Sequence, residues 1–345
     1  MDEIKTLIFR TDRLGDFLIS CPFIISYKKK FPDNQIEIVS SEYNSSYIAN
    51  FNFIKKIIPL KTETKFFPKL IILIKIILYL RKIKYNNVIV LDGKKRSFFI
   101  SLFLKGNKSI LLQNKKLWVL SQIFNYKSVI NYEIQNQLKN FSYLASLLNF
   151  NIDQKKIDIY KNYLLKKKYY FEKKYIIIHL DEKWFSEYYY RDFTNINPNS
   201  KQIDIFIKKI LEISKNNYNI VFTNGANKIH KLDNFYSTFK SNDTILFNKT
   251  INDNLITYLP DLTFRDLEGL IKDSSFLICC EGGISHVSHN FNIPTIAFFE
   301  KNRLQHIKFW TGHMEKLKLF PRKKMDELIN DKNFFNILDD QINQV

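Results

Sequence analysis

Short apolar runs alternate along this chain with longer stretches whose apolar residues recur every three or four positions. In the first half the runs at 4–9, 36–40, 54–58, 87–91 and 108–112 read as strands, with helical patterns between several of them. Such alternation predicts a parallel, doubly wound α/β sheet, because parallel neighbours need a crossover long enough to hold a helix. In the second half 175–180, 218–223, 275–280 and 294–299 read as strands, and 202–215 and 263–272 as helices. Gln135 to Phe150 reads as a helix, the polar stretch Asn151 to Lys174 as the connection between two domains, and Lys324 to Gln344 as a terminal helix. Two domains also suit 345 residues, since single cores rarely grow past roughly 250–300 residues.

Two strand-to-helix turns carry the candidate chemistry. After the strand at 275–280 come Glu281, Gly282, Gly283, Ser285 and His286, then a helical stretch and the Pro294-initiated run. Such a turn aims backbone N–H groups and the positive end of a helix dipole past the strand end, an arrangement suited to a diphosphate. An ordinary βαβ connection, with glycines that only make the turn, fits the segment equally well. The other turn, Arg10-Thr-Asp-Arg-Leu-Gly-Asp16, follows the first strand and sets Asp16 directly after Gly15. A carboxylate there stands where open α/β sheets bind ligands; the competing reading is that Asp16 simply caps the helix.

Together these segments resemble glycosyltransferase family 9, the lipopolysaccharide heptosyltransferase family. The resemblance rests on Arg10, Asp12 to Asp16 and Pro22 in the first turn, and on Glu281, Gly283, His286 and Pro294 in the second. Val88 to Ser97 is similar to the family's strand-then-Asp segment, and Ile176 to Phe185 to the strand opening its second domain, whose loop brings Lys183 to the donor phosphates. The sequence departs from the pattern at Glu281, usually Asp, and at Gly282, usually Ser or Thr. The stretch Thr223 to His230 also offers no carboxylate for the nucleoside.

The resemblance implies the GT-B architecture, two facing Rossmann-like domains with the active site in their cleft. Residues 1–160 would be the acceptor domain and 170–325 the nucleotide-sugar domain, with 326–345 a helix packing back on the first domain. It implies an inverting transfer, most simply of heptose from ADP-heptose to a lipopolysaccharide core or related lipid-linked acceptor. Asp16 would be the general base, Lys183 and the N–H groups of Gly283 to Ser285 would stabilise the leaving diphosphate, and Glu281, Gly282 and His286 would hold the donor. Arg13 and Gly15 would meet the acceptor, unless Arg13 forms a plain surface ion pair. Another nucleotide sugar on the same fold, or a non-catalytic basic protein that docks on membranes, are the alternatives. No cofactor is expected beyond the nucleotide-sugar substrate, and no Asp-x-Asp pair stands at a strand end to hold a metal.

Charge and composition adjust this picture. The net charge of +19 suits nucleic acid, anionic membranes or phosphorylated glycolipids. Its lysines are spread among Ile, Asn, Phe and Tyr, as A+T-rich coding would also produce, and no nucleic-acid-binding motif accompanies them. Nucleic acid is therefore not expected as a partner. The apolar stretch Leu70 to Leu80 is too short for the ~20 residues of a membrane span and is interrupted by Lys75. Between a buried helix and an interfacial one whose basic flanks (Lys61, Lys65, Lys69, Arg81, Lys82, Lys84) face anionic lipid, the expectation is a mixture, packed on the sheet with its basic rim toward the membrane. Cys21, Cys279 and Cys280 read as core thiols, His289, His306 and His313 as packing or surface residues, and the opening Met1-Asp-Glu-Ile-Lys shows no signal-peptide pattern. The expectation is a cytoplasmic protein, peripheral to the inner face of the cytoplasmic membrane.

Overall fold

The expected strands fold into two sheets in the computed structural model, which describes residues 3–61, 66–112, 115–130, 136–153, 171, 173–185, 194–225, 229–241, 247–251 and 254–342. Each sheet belongs to its own unit, Met1–Tyr163 or Leu164–Val345. In the first unit the strands are β1 (Lys5–Arg10), β2 (Gln35–Ser41), β3 (Ile54–Leu60), β4 (Asn87–Val90), β5 (Asn107–Leu112) and β6 (Lys127–Ile130). They pair in parallel in the order β3-β2-β1-β4-β5-β6.

The helices of this unit are α1 (Leu14–Lys30), α2 (Glu42–Ile48), α3 (Phe66–Lys82), α4 (Lys95–Leu102), α5 (Lys115–Ile123) and α6 (Gln137–Leu147). Alternation along the strands decides which face each layer covers. Leu7 and Phe9, Val88 and Val90, and Ile110 and Leu112 pack in one cluster with Leu73 and Ile76 of α3, Phe98 of α4 and Trp118 of α5. Ile8, Ile89 and Leu111, of opposite parity, are equally buried, as a sheet covered on both faces requires. Helix α1 is buried without a break from Phe17 to Tyr27 and packs against α2 and α6. A helix enclosed on all sides has no polar stripe, which explains its near-continuous apolar sequence.

The second unit holds β7 (Tyr175–Leu180), β8 (Asn219–Asn224), β9 (Lys240–Ser241), β10 (Phe247–Ile251), β11 (Asn254–Leu259), β12 (Phe276–Cys280), β13 (Thr295–Phe299) and β14 (Leu317–Pro321). Their order is β14-β13-β12-β7-β8-β11-β10-β9, parallel except that β10 runs antiparallel to both neighbours. Its helices are α7 (Ser200–Ile213), α8 (Asp233–Tyr236), α9 (Phe264–Asp273), α10 (Gly283–Asn290), α11 (Leu304–Thr311), α12 (Met325–Leu328) and α13 (Lys332–Ile342). The central strands β7, β12 and β13 are buried along their whole length, whereas the edge strands β3 and β14 carry exposed Lys55, Lys56 and Lys318 that guard against further pairing. Local capping fixes helix starts: at α7 the Asn199 and Gln202 side chains each accept the other's backbone N–H, at 3.0 and 3.1 Å.

The strands and helices expected from the apolar pattern are present to within a few residues. Strands β6, β9, β10, β11 and β14 were not expected; β10 is half-exposed and polar, so it carries no alternation to read. Most of the connection 151–174 lies outside the described residues. The terminal segment differs from expectation in being two helices. It breaks into α12 and α13 because the Asp331 carboxylate accepts the Asn333 and Phe334 N–H groups at 3.0 and 3.2 Å and starts a new helix. Phe334, Leu338 and Ile342 of α13 join Phe206, Phe298 and Phe320 in the core of the second unit. Among the described residues no helix is long and apolar enough to cross a membrane.

Candidate active site

In each sheet the strand order reverses once beside a central strand, between β1 and β4 in the first unit and between β7 and β12 in the second. The crevice beyond the carboxyl ends of strands at such a reversal is where open α/β sheets bind ligands. All the site residues expected from sequence stand at these two strand ends.

In the first unit Arg10 closes β1 with its side chain almost wholly buried. Its guanidinium donates to the Leu91 carbonyl at 2.8 Å, donates through Nε to the Asp16 carbonyl at 2.8 Å, and pairs with the Asp12 carboxylate at 3.1 Å. Asp92, at the end of β4, accepts from the Thr11 and Ser97 hydroxyls at 2.6 Å each and from the Lys94 N–H at 3.1 Å, so the two loops are locked together. Asp16 is half-buried in the first turn of α1, and its Oδ2 accepts the Arg13 N–H at 3.1 Å. It does cap its helix, through that one oxygen. Arg13 is exposed and Gly15 half-buried beside it. Burial pushes the Asp12 carboxyl up to about 7; Arg10 opposes this, while Asp16 and Asp92 add to it. Asp12 Oδ1 is buried with no hydrogen-bond partner among the described residues.

In the second unit Lys183 lies in a helical turn, Glu182–Trp184, directly after β7. Its ammonium donates to the carbonyl of Glu281, 98 positions away, and stands 3.9 Å from the Asp181 carboxylate. Gly282 has φ +154°, and a Cβ there would overlap the Lys183 ammonium. The backbone conformation calls for glycine, and any Cβ would in addition push the Lys183 ammonium from its seat. Gly283 begins α10. Ser285 turns its hydroxyl onto the turn itself, donating to the Gly282 carbonyl at 2.7 Å, and His286 is buried with its ring 6.3 Å from that of His313. Glu281 is buried, and its Oε2 lies 3.3 Å from Nη2 of Arg322, whose side chain is fully enclosed. Burial raises the Glu281 carboxyl, against the pull of Lys183 and Arg322, and burial likewise raises Asp181.

The structure thus gathers Lys183, Glu281, Gly282 and Gly283 at one strand end, joined by Asp181 and Arg322, which the sequence reading did not single out. Arg322 follows β14, a strand it also missed, so nothing marked that residue as interior. Glu300, after β13, was missed too; it accepts the Thr194 N–H at 2.8 Å. Among the described residues no three His, Cys, Asp or Glu side chains gather as metal ligands.

The sequence matches the model of glycosyltransferase family 9 (heptosyltransferase) over residues 73–335, about three quarters of the chain. The chain belongs to glycosyltransferase family 9. The match covers β12, α10 and Lys183 but begins after the turn that carries Asp16. No curated protein sequence matches. Among solved structures, the Escherichia coli heptosyltransferase WaaC with ADP-2-deoxy-2-fluoro heptose is similar with a TM-score of 0.67 at 13% identity, over 97% of this chain and 99% of that one. The glycosyl transferase family 9 protein from Veillonella parvula gives 0.65 at 12% identity, over 100% and 96%. A putative UDP-N-acetylglucosamine 2-epimerase from Listeria monocytogenes gives 0.59 at 13% identity, over 99% and 91%. The fold is the GT-B type, and the epimerase shows that this fold alone does not fix the reaction. Family membership identifies this chain as a glycosyltransferase of the heptosyltransferase-like family.

Proposed function

We propose that this family 9 enzyme is an inverting glycosyltransferase that moves heptose from ADP-heptose to a lipopolysaccharide core or related lipid-linked acceptor. The observation that carries the reading is the seat of the Lys183 ammonium over Gly282, at the start of α10. A fixed cation and a helix N-terminus face the same strand end, an arrangement suited to a diphosphate. WaaC, the structural relative, was solved with ADP-2-deoxy-2-fluoro heptose, which favours ADP as the nucleotide.

In the proposed reaction the donor lies on the second unit and the acceptor on the first. Asp16, through the oxygen not used in capping, takes the proton of the acceptor hydroxyl as that oxygen attacks the anomeric carbon. The bond from that carbon to the diphosphate oxygen breaks, and ADP leaves with its charge stabilised by Lys183 and the first N–H groups of α10. Glu281 orients the sugar and His286 lines the donor side. Arg13 and Gly15 meet the acceptor. Protein cations take the place a divalent metal holds in other transferases. The enzyme acts in the cytoplasm at the inner face of the membrane.

One observation favours a second reading, the same chemistry with another nucleotide sugar. Glu281 stands where the family usually has Asp, and its longer side chain is drawn to Arg322. Thermal unfolding with ADP, GDP, UDP and CDP decides between them. A ligand at 100 times its dissociation constant adds roughly 2.7 kcal/mol. Selective stabilisation by ADP, followed by ADP release from ADP-heptose with a lipid-linked acceptor, supports the first reading. Selective stabilisation by another nucleotide supports the second, and no response to any of the four removes both.

A further inference from the structure

The two units differ sharply in what they show to solvent. Of the large apolar side chains exposed among the described residues, the second unit contributes only Leu255. The first unit contributes all the others, and most lie on α3, α4 and α5. On α3 they fall at helical spacing: Phe67 is 75% exposed, Ile71 53%, Ile74 48% and Leu78 55%, one stripe along seventeen residues. Phe99 on α4 is 58% exposed and Ile123 at the end of α5 67%. The inward sides of all three helices join a single cluster on one face of the sheet, so their outward sides form one surface.

Helix α3 packs on the sheet through Leu73, Ile76 and Leu80, as expected, and it also turns an apolar stripe outward that the sequence reading did not foresee. An apolar helix exterior of this extent marks an interaction surface.

Charge selects the partner. From 66 to 130 the chain has thirteen Lys and Arg residues and one acid, Asp92, which is buried beneath Thr11 and Ser97. Lys75 stands exposed within the α3 stripe, and Arg81, Lys82, Lys95 and Lys116 are exposed around it. Nucleic acid would answer the charge but has no use for a stripe of Ile and Leu. A bilayer bearing anionic headgroups answers both, because apolar side chains enter the acyl boundary while long basic ones reach the phosphates.

We infer that the outer surface of α3, α4 and α5 is the face by which this protein lies on a membrane rich in anionic lipid. The inference deepens the reading of a lipid-linked acceptor by naming the surface that brings the enzyme to it, and it uses no residue assigned to transfer.

The test is sedimentation with vesicles of phosphatidylcholine alone and of phosphatidylcholine mixed with phosphatidylglycerol. Wild-type protein, Ile74→Glu/Ile123→Glu and Lys75→Glu/Lys82→Glu are compared, each checked for melting temperature and for ADP-induced stabilisation. Wild type is expected to bind the mixed vesicles at least tenfold more tightly than the neutral ones. The apolar variant loses binding to both, and the lysine variant loses it to the mixed vesicles by roughly fivefold or more for each charge changed. All variants keep wild-type melting and ADP response, since every substituted side chain is exposed. Equal binding of the three proteins, or no vesicle binding together with a dimer in solution that Ile74→Glu/Ile123→Glu dissociates, overturns the inference. Loss of the ADP response in wild type with vesicle binding intact would sink the transferase mechanism and leave this surface standing.

Discussion

The groups bonded to Asp16 come from its own turn, Arg10 and Arg13 within six residues of it, while Asp92 and Lys94 from the end of the neighbouring strand only brace Thr11 beside it. At the turn after β12 the charges are brought in from elsewhere, Lys183 from 98 residues before and Arg322 from 41 residues after Glu281. In the proposed reaction Asp16 receives a proton, and the first turn of its own helix orients it. A site that must hold a spread negative charge needs cations on several sides, which one stretch of backbone cannot supply. Glycine at 282 is the means by which the second turn admits its borrowed cation.

The largest effect expected from breaking this comparison is at Asp16. The Asp16→Asn variant keeps an oxygen to cap α1 but loses the basic group, so transfer should fall by about 10²–10⁴-fold with ADP stabilisation and melting unchanged. Turnover within a few-fold of wild type would remove the carboxylate from the proton transfer. Next is Arg322→Met, which leaves Glu281 buried without its guanidinium; denaturant titration should show a loss of about 3 kcal/mol. Adding Glu281→Gln should recover part of it, and if the double variant is no better the pair is not coupled. At Gly282, Ala forces both a strained φ and the displacement of Lys183, so ADP affinity measured by calorimetry should drop roughly tenfold, with a stability loss above about 1 kcal/mol. An unchanged affinity would mean that the position of Lys183 does not matter for the diphosphate.

The smallest effects are in pH dependence, where two buried histidines of the second unit and one buried carboxyl of the first run in opposite directions. Burial lowers His179 to about 4 and His313 to about 3. The unfolded state therefore binds protons that the folded second unit refuses, and stability falls as pH drops from about 6.5 towards 4. Asp12 is raised to about 7, so the folded first unit holds a proton that the unfolded chain has lost, and this stability disappears as pH rises from about 4 through 7. Melting temperatures across pH should flatten on the acid side for His313→Gln and on the neutral side for Asp12→Asn. Parallel curves for wild type and both variants would refute the assignment.

The same contrast explains what could be read in the sequence. Buried parallel strands such as β7 and β12 are continuous apolar runs and stand out; β10, polar and half-exposed, does not. Asp16, Gly15 and Arg13 sit in one segment with the strand before and the helix after, so the first turn was visible whole. Lys183 and Glu281 could be joined only through the family resemblance, and Arg322 had neither a motif nor a recognised strand beside it. For α13 the sequence shows an amphipathic helix with a buried face, but not that Phe334 and Leu338 enter the core of the second unit.

The three thiols, all buried, have a further use. Cys21 lies in the helix that carries Asp16, and Cys279 and Cys280 end the strand that leads to Glu281. Burial also holds the Cys279 and Cys280 thiols well above their ordinary range, so neither reacts while the sheet is closed. Alkylation of each therefore reports how often its own unit opens, and mass spectrometry of the labelled peptides yields two separate opening rates from one unmodified chain.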